Sequence, residues 1–209
     1  RSDNCRVSDL SVSSDNLTFT YEAKSLPYPI DTSYYDNEKH TQADALSVIP
    51  FMDEMNYEGL SVSGLSDGYY GLTIGREFIG RFTARELERG INMALLQNTP
   101  QYKQAMKIRQ MNEERWLKER KMREFYWVEY NLMRKTGMLW ACNEAAVDTL
   151  RKYRPHDIFL QWNGDLWLQY MHKGIREDCV NEQQDLVNQI YEQNKPIPLR
   201  IEIKKFTDL

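Results

Sequence analysis

The sequence predicts an α+β fold, in which a small antiparallel β unit is followed by a helical unit that contains one long helix. Apolar and polar residues alternate with the period of half-buried strands in several stretches up to Phe82. After Pro100 the apolar residues instead recur at helical spacing to about Arg134. We therefore expect two domains, a β unit with a short capped helix at residues 1–97 and a helical unit with a strand-like tail at residues 98–209.

The composition is that of a globular chain and predicts no nucleic-acid partner and no membrane span. The 209 residues are 41% apolar, which is enough for a packed core. Lys and Arg total 27 against 31 Asp and Glu, so the formal charge of -4 offers no basic field to nucleic acid. No apolar run approaches the roughly 20 residues that a membrane-spanning helix needs. Because the chain begins with Arg1 rather than Met, we expect it to be part of a longer protein, from which any targeting segment is missing.

The three cysteines, Cys5, Cys142 and Cys179, are far apart and show no C-x-x-C spacing. This excludes a recognisable zinc ribbon or redox motif, and we predict neither a metal nor a cofactor. An odd number leaves at least one thiol unpaired within the chain. Isolated thiols that are buried or half-buried are the favoured interpretation, and one disulfide is the alternative.

The N-terminal segment has the pattern of a β-hairpin, with a polar turn at residues 13–16 between two alternating runs. The apolar positions of these runs are Val7, Leu10, Val12, Leu17, Phe19 and Tyr21. Pro27 and Pro29 end the second strand because proline cannot donate to a ladder. Residues 31–45 are polar and without period, so we expect an exposed loop there.

A second β region begins at Gly59 and is predicted to be a three-stranded meander. Its strands are residues 60–62, 70–74 and 78–82. Thr83 and Glu86 then have the spacing of a capping box, in which the hydroxyl and the carboxylate satisfy free amides of a new helix. This helix is expected to run to about Gly90.

The long helix is predicted to begin at Thr99-Pro100, since proline suits the first helical turn. Three apolar pairs recur along it at intervals of eleven residues, about three turns, and should form one apolar stripe. They are Ala105-Met106, Trp116-Leu117 and Trp127-Val128. Oppositely charged residues at i,i+4 spacing lie between them, Glu114 with Lys118 and Glu119 with Arg123. From Phe125 onward apolar residues occupy several faces, which predicts deeper burial.

The remainder predicts two further helices and a final strand. The helices are placed near Asn143 to Tyr153 and from about Cys179 to Gln193, where Asn194-Lys195-Pro196 stops the second one. An aromatic-rich stretch lies between them. The tail at residues 197–206 alternates as a strand would, although the sequence does not identify its partner.

The segment Gly64-Leu-Ser66-Asp-Gly68 matches the G-x-S-x-G pattern of an α/β-hydrolase nucleophile elbow. Such an elbow requires a strand before the serine and a helix after it, whereas an alternating strand follows here at once. Glycines on both sides of Ser-Asp also suit a tight hairpin turn. We therefore interpret the segment as a turn and assign no catalytic residue to it.

None of the three histidines, His40, His156 and His172, stands beside an evident nucleophile or in an HxxxH or HExxH spacing. Asp36 and His40 form D-x-x-x-H, one residue longer than the D-x-x-H pair that orients an imidazole base in SGNH hydrolases. We interpret all three as surface or packing residues, with a functional His40 as the alternative.

Two further groups of residues have both a chemical and a structural interpretation. The acidic pairs Glu113-Glu114 and Glu177-Asp178 could do acid–base work, but on charged helices we expect solvated faces. An aromatic group could form a sugar-stacking platform, but packing in a core or domain interface is favoured because large aromatics dominate buried area. Its members are Trp140, Trp162, Trp167 and Tyr170.

Residues 59–115 resemble the region that follows the catalytic domain in a group of bacterial SGNH, or GDSL-type, hydrolases. The run GRFTARELERGIN at residues 80–92 is the most specific part. The resemblance extends over nearly the whole chain. The outer segments are LTFTYEAKSLPYPID before this region, then EFYWVEYN and NKPIPLRIEI after it.

The resemblance implies a parent enzyme that hydrolyses an acyl ester, such as an acetylated carbohydrate, in the periplasm or outside the cell. In that family the Gly-Asp-Ser block, the oxyanion-hole glycine and asparagine, and the D-x-x-H all precede the region matched here. Gly164-Asp165-Leu166 has leucine where the nucleophile would stand. We therefore carry over no catalytic residue, and the implied partner is an upstream SGNH domain of the same protein.

Three functions stay open at this point. A C-terminal accessory and scaffolding region is favoured, in which the β unit and the long helix pack against the catalytic domain. An independent carbohydrate- or protein-binding module is the second. A self-contained enzyme with an unfamiliar site is the third.

Overall fold

A computed structural model describes residues 2–32 and 41–206, and it confirms the α+β class. The chain divides into two compact units. The sheet unit comprises Arg1–Arg109 and Glu192–Leu209, and the helix unit comprises Gln110–Tyr191. The predicted domain boundary between residues 97 and 98 stays a prediction, because compactness alone does not test which part folds independently.

Within the part of the chain that the structure describes, the sheet unit contains seven strands and three short helices. The strands are β1 (Cys5–Val12), β2 (Asn16–Ala23), β3 (Gly59–Leu60), β4 (Tyr69–Ile74), β5 (Glu77–Thr83), β6 (Ile91–Asn92) and β7 (Leu199–Lys205). The helices are α1 (Gln42–Ala45), α2 (Phe51–Glu54) and α3 (Ala84–Arg89), and a 3-10 turn follows at Met93–Leu95.

The remaining helices are α4 to α7. They are α4 (Pro100–Val128), α5 (Glu144–Tyr153), α6 (Ile158–Tyr170) and α7 (Lys173–Gln193). A π-helical turn at Glu129–Met133 continues α4, and a 3-10 turn at Arg154–His156 follows α5. The predicted extent of the long helix, to about Arg134, is therefore confirmed when the π turn is included. The start of α7 lies earlier than the predicted Cys179.

The main sheet has the strand order β1-β2-β7-β4-β5 with antiparallel pairing throughout. The C-terminal strand β7 lies in its middle, and Ile201 is paired with Phe19 on one side and Ile74 on the other. The predicted N-terminal hairpin is confirmed, and its turn is closed by the Ser13 N–H donating to the Asn16 carbonyl at 2.8 Å. The partners of the tail, which the sequence did not identify, are thus β2 and β4.

The predicted three-stranded meander is wrong in its first strand. Of the three strands predicted for the meander, the second and third correspond to β4 and β5 and form a hairpin. The first corresponds to β3, which pairs with β6 in a separate two-stranded ladder. The second edge of β4 is occupied by β7, so no ladder position is left for residues 60–62. The Val62 N–H instead donates to the Leu87 carbonyl of α3 at 2.9 Å.

The predicted loop at residues 31–45 is partly wrong and partly outside the described residues. Residues 33–40 are not described, but Gln42–Ala45 form the helical turn α1. Thr41 begins it with a capping box, in which its N–H donates to Asp44 Oδ2 at 2.6 Å. This T-x-x-D signal is of the same kind as the one at Thr83 and was overlooked in a polar stretch.

The capping box of α3 is confirmed. The Glu86 N–H donates to Thr83 Oγ1 at 3.2 Å, and the Thr83 N–H donates to Glu86 Oε2 at 2.7 Å. The helix ends at Gly90, whose φ of +94° lies in a region that favours glycine. Residues within or next to this helix therefore determine where it begins and where it ends.

The core of the sheet unit lies on one face of the sheet, where directly paired positions carry apolar side chains. Leu72, Ile74, Ile201 and Ile203 of β4 and β7 are fully buried. Other elements cover this face with Leu60, Leu87 and Met93, among others. Full burial of each such aliphatic side chain is worth about 1.5–3 kcal/mol, so β7 is a major source of stability for this unit.

The core of the helix unit is formed by the end of α4, the π turn and the helices that follow. Its fully buried side chains include Phe125, Val128, Met133, Leu150 and Trp167, which confirms the deep burial predicted from Phe125 onward. Asn143 caps α5 by accepting from the Ala146 N–H at 3.0 Å, as expected for the predicted helix.

The predicted apolar stripe of α4 is not buried along its whole length. Ala105 and Val128 are buried, but Trp116 and Leu117 are about half exposed, at 47% and 50%. A second set at the same eleven-residue interval, Met111 and Met122, is the buried one. The interval alone cannot distinguish two parallel stripes on one helix. The two i,i+4 pairs are confirmed, at 3.7 Å and 3.5 Å.

Among the helices that the structure describes, none combines the length and apolarity needed to cross a membrane.

Candidate functional site

The Ser66 turn does not have the geometry of a nucleophile elbow, since the strand β4 and not a helix follows it. Ser66 Oγ accepts from Lys205 Nζ at 2.7 Å and lies 3.1 Å from the Tyr70 hydroxyl, which itself donates to the Ser66 carbonyl at 2.9 Å. The Ser66 hydroxyl proton is then directed at Tyr70 and not at a base. The segment is a turn, as predicted, but it joins strands of two different sheets instead of closing a hairpin.

Two of the three histidines, His156 and His172, fall within the described residues. His40, with Asp36, falls outside the described part of the chain, so its role stays a prediction. His156 belongs to the 3-10 turn after α5. His172 Nδ1 lies 3.3 Å from Cys142 Sγ, and both side chains are exposed.

The Cys142–His172 pair was not found in the sequence because its members are thirty residues apart. A thiol beside an imidazole is an arrangement used for nucleophilic catalysis. Neither residue, however, lines the aromatic groove or the apolar cleft defined below. All three cysteines are free, and Cys179 is buried and Cys5 half-buried, as expected, but Cys142 is exposed, so the expected burial is wrong for this thiol. Within residues 2–32 and 41–206 no three His, Cys, Asp or Glu side chains are grouped to hold a metal ion.

A partly buried carboxylate, Glu58, lies in the sheet unit and was not identified from the sequence. Its Oε1 accepts from the Tyr21 hydroxyl at 3.0 Å and from Gln101 Nε2 at 3.2 Å. Burial raises the pKa of Glu58 and outweighs these two bonds, which act in the opposite direction. Glu58 Oε2 and Gln101 Oε1 are buried acceptors to which no donor is bonded.

The aromatic group, for which packing was the favoured interpretation and a sugar-stacking platform the alternative, is divided between core and surface. Trp167 and Tyr170 are buried in the core of the helix unit, which confirms the packing interpretation for them. Trp140 and Trp162 are exposed, at 45% and 68%. The acidic pairs at residues 113–114 and 177–178 are exposed, as expected for solvated helix faces.

Trp162 belongs to a groove of about 670 Å³ between α4 and α6, within the helix unit. Its aromatic lining, which we call the aromatic groove, consists of Trp116, Trp127, Phe159 and Trp162. The ring centroids of Trp127 and Phe159 are 5.2 Å apart, and those of Phe159 and Trp162 are 5.6 Å apart. The rings of Trp127, Phe159 and Trp162 thus form a continuous row from α4 to α6.

Polar side chains are interspersed among these rings. They are Arg120, Arg123 and Glu124 of α4 and Asn163 of α6. Arg120 Nε donates to Glu124 Oε1 at 2.7 Å, and the Arg123 guanidinium lies 5.6 Å from the Trp116 ring centroid. The groove therefore combines apolar ring faces with hydrogen-bond donors and acceptors, which is the usual composition of a ligand site. Of the residues that line the groove, only Trp162 belongs to the aromatic group that the sequence identified as a possible sugar platform. The eleven-residue interval from Trp116 to Trp127 was the available signal for two further members.

An apolar cleft of about 360 Å³ lies in the sheet unit. Val7 and Leu10 of β1, Phe19 and Tyr21 of β2, and Leu60 of β3 contribute to its walls. Since β1 is an edge strand of the main sheet, the cleft adjoins an unpaired edge.

Comparison with known proteins shows which family the helix unit is similar to. Residues 106–195 match the family model described as the diltiazem deacetylase C-terminal helical domain, and this segment includes all of the helix unit. The helix unit is therefore similar to a hydrolase-related, C-terminal helical domain.

The solved structure of the gut microbial diltiazem-metabolizing enzyme BT4096 is similar to almost the whole chain. The two share 36% sequence identity with a TM-score of 0.91, over 99% of this chain. The chain spans 47% of the length of that enzyme. A search among curated proteins gave no significant match.

Proposed function

We propose that this chain is the C-terminal accessory and scaffolding region of an ester hydrolase of the SGNH, GDSL-type class. One observation carries the proposal. The chain is similar over 99% of its length to an enzyme of which it spans only 47%. About half of such a protein therefore lies outside the matched region, and we place the catalytic residues there.

The hydrogen bonds of the Ser66 hydroxyl support this assignment. The Ser66 hydroxyl is engaged by Lys205 and Tyr70, and neither of the two histidines in the described residues, His156 and His172, is hydrogen-bonded to it. A serine hydrolase needs a base beside its nucleophile and donors for the oxyanion. We accordingly propose that the chain by itself has no hydrolytic activity.

The proposed substrate is an acyl ester, with an acetylated carbohydrate as the favoured case. A family described as a deacetylase supports an acetyl ester as the bond that is cleaved. The SGNH class, the carbohydrate and a periplasmic or secreted location rest on the sequence resemblance alone. They are proposals about the parent enzyme.

The apolar cleft of the sheet unit is the surface that we propose packs against the catalytic part. Leu10 and Val12 of the edge strand β1 are mostly exposed, at 64% and 71%. Unpaired edge strands with apolar side chains are usually covered, because they otherwise pair with other chains. An upstream domain of the same protein is a suitable cover.

The experiment is to express the upstream segment separately and mix it with this chain. Association should raise the melting temperature of both pieces, since each binds the folded form of the other. Leu10→Asp should abolish association, whereas Val180→Asp in α7, an exposed position of the helix unit, should not. Failure of the pieces to associate at tens of micromolar would contradict the scaffolding role. Turnover of a simple acetyl ester by this chain alone, lost in Ser66→Ala, would contradict the location of the catalytic residues.

An independent binding module is the second candidate function. The aromatic groove favours it, because exposed rings beside polar side chains are typical of a ligand site.

A further inference from the structure

We propose that the aromatic groove of the helix unit binds carbohydrate, with sugar rings stacked on its tryptophans and hydroxyls bonded by its arginine, glutamate and asparagine side chains. The proposal is independent of the ester hydrolase assignment. It concerns binding by residues of this chain, and it would hold whether or not the parent enzyme acts on the same molecule.

The exposure of the rings distinguishes the groove from a core. Trp116, Phe159 and Trp162 all expose about half of their surface or more, whereas Trp167 on the same helix as Trp162 is fully buried. Tryptophan offers the largest apolar area of any side chain, so leaving two of them in water is unfavourable unless something covers them. The volume of about 670 Å³ lies within the range of 300–1,000 Å³ found for small-molecule sites.

The polar side chains match the hydroxyl groups of a sugar. A hydroxyl both donates and accepts, and the groove supplies donors from Arg120 and Arg123, an acceptor from Glu124, and both from Asn163. The bond from Arg120 to Glu124 and the pairing of Arg123 with Glu119 at 3.5 Å restrain these flexible side chains. Restraint before binding reduces the entropy lost when a ligand is held.

The chemistry of the lining favours a sugar over a protein partner. None of the eight residues that line the groove is aliphatic, and three of them are charged. The centre of a protein–protein interface is depleted of charged residues. A sugar ring instead presents C–H groups on its faces and hydroxyls at its edge, which suits aromatic faces bordered by planar polar groups.

Binding is tested by titrating the whole chain with cellohexaose, xylohexaose and hexagalacturonate, with calorimetry and tryptophan fluorescence as readouts. We expect saturable binding of at least one of the three, with a change in fluorescence because three of the five tryptophans line the groove. Hexagalacturonate separates an acidic sugar, held mainly by the arginines, from the two neutral ones.

Variants of the groove locate the bound sugar. Trp162→Ala should weaken binding about fivefold to tenfold, the loss expected for one aromatic contact, while Trp162→Phe should retain most of the affinity. Tyr191→Ala, which removes an equally exposed aromatic residue of α7 outside the groove, should bind as the original chain does. Circular dichroism establishes that each variant is folded.

Two results would overturn the proposal. One is the absence of saturable binding for all three oligosaccharides by the folded chain. The other is binding that is unchanged in both Trp162→Ala and Trp116→Ala. Neither result would affect the proposed role as part of an ester hydrolase, which is judged by association with the upstream segment.

Discussion

Trp167 donates its indole N–H to Oε1 of Glu129 at 2.9 Å in the core of the helix unit. Both residues are almost fully buried. The second carboxylate oxygen accepts from the backbone N–H of Trp140 at 2.8 Å, and Trp140 has a φ of +62°, which a non-glycine residue seldom adopts. Glu129 also begins the π-helical turn after α4. One carboxylate thus connects this turn, α6 and the segment before α5.

The first prediction concerns this connection. Trp167→Phe should lower the free energy of unfolding by about 1–3 kcal/mol, because it leaves a buried carboxylate oxygen without its donor. The smaller ring adds the cost of a cavity. Chemical denaturation followed by circular dichroism measures the change. The exposed substitution Glu114→Gln is the control, and it should stay within about 0.5 kcal/mol. Equal stability of Trp167→Phe and the original chain would show that the bond contributes nothing.

The second prediction is a pH dependence that originates at Glu58. Burial raises the pKa of Glu58 above its ordinary value of 4.5, so the folded chain holds this proton more tightly than the unfolded chain. The stabilisation that the neutral carboxylic acid contributes is complete when the pH lies below the ordinary pKa. It is lost as the pH rises through the raised pKa of the folded chain. Relative to Glu58→Gln, the original chain should therefore become less stable as the pH rises through this interval.

The measurement for Glu58 is the free energy of unfolding of both proteins across that pH interval. Glu54→Gln, an exposed change in the same segment, is the matched control and should leave the pH dependence unaltered. Parallel pH curves for Glu58→Gln and the original chain would rule out Glu58 as the origin.

Local signals predicted much of this fold correctly. The hairpin β1–β2, the capping box at Thr83, the cap at Asn143 and the burial from Phe125 onward all depend on residues close together in the sequence. Such signals can be recognised in the sequence because the residues that cause the structure lie within a few positions of one another.

Contacts between distant residues account for what the sequence did not predict. Ile201 alternates correctly for a strand, yet nothing near it indicates that Phe19 and Ile74 are its neighbours. The meander was wrong for the same reason, because β7 occupies the edge that β3 would have needed. The groove was missed because burial decides which of two stripes on α4 is exposed. That burial depends on contacts with helices distant in sequence, such as α7, which contacts α4 at Lys118.

The third prediction tests the cap of α3. Thr83→Ala should lower the free energy of unfolding by about 1 kcal/mol, because the Glu86 N–H loses its acceptor at the helix N-terminus. Thr83→Ser retains the hydroxyl and should recover most of this loss. The denaturation midpoints of the two variants provide the comparison. An alanine variant as stable as the serine variant would indicate that the capping bond has no net effect.

The fourth prediction concerns the reactivity of the three thiols. Cys142 is exposed and lies 3.3 Å from His172 Nδ1, Cys5 is half-buried, and Cys179 is 4% exposed with its Sγ directed at the Lys118 carbonyl at 3.7 Å. Access governs the rate at which a thiol reacts with a disulfide reagent. Under native conditions one thiol should therefore react rapidly with Ellman's reagent, and Cys142→Ser should remove this fast phase. Cys179 should react only as the helix unit unfolds, so its rate should increase with denaturant. A fast phase that persists in Cys142→Ser would mean that another thiol is the accessible one, and fast labelling of all three would contradict the burial of Cys179.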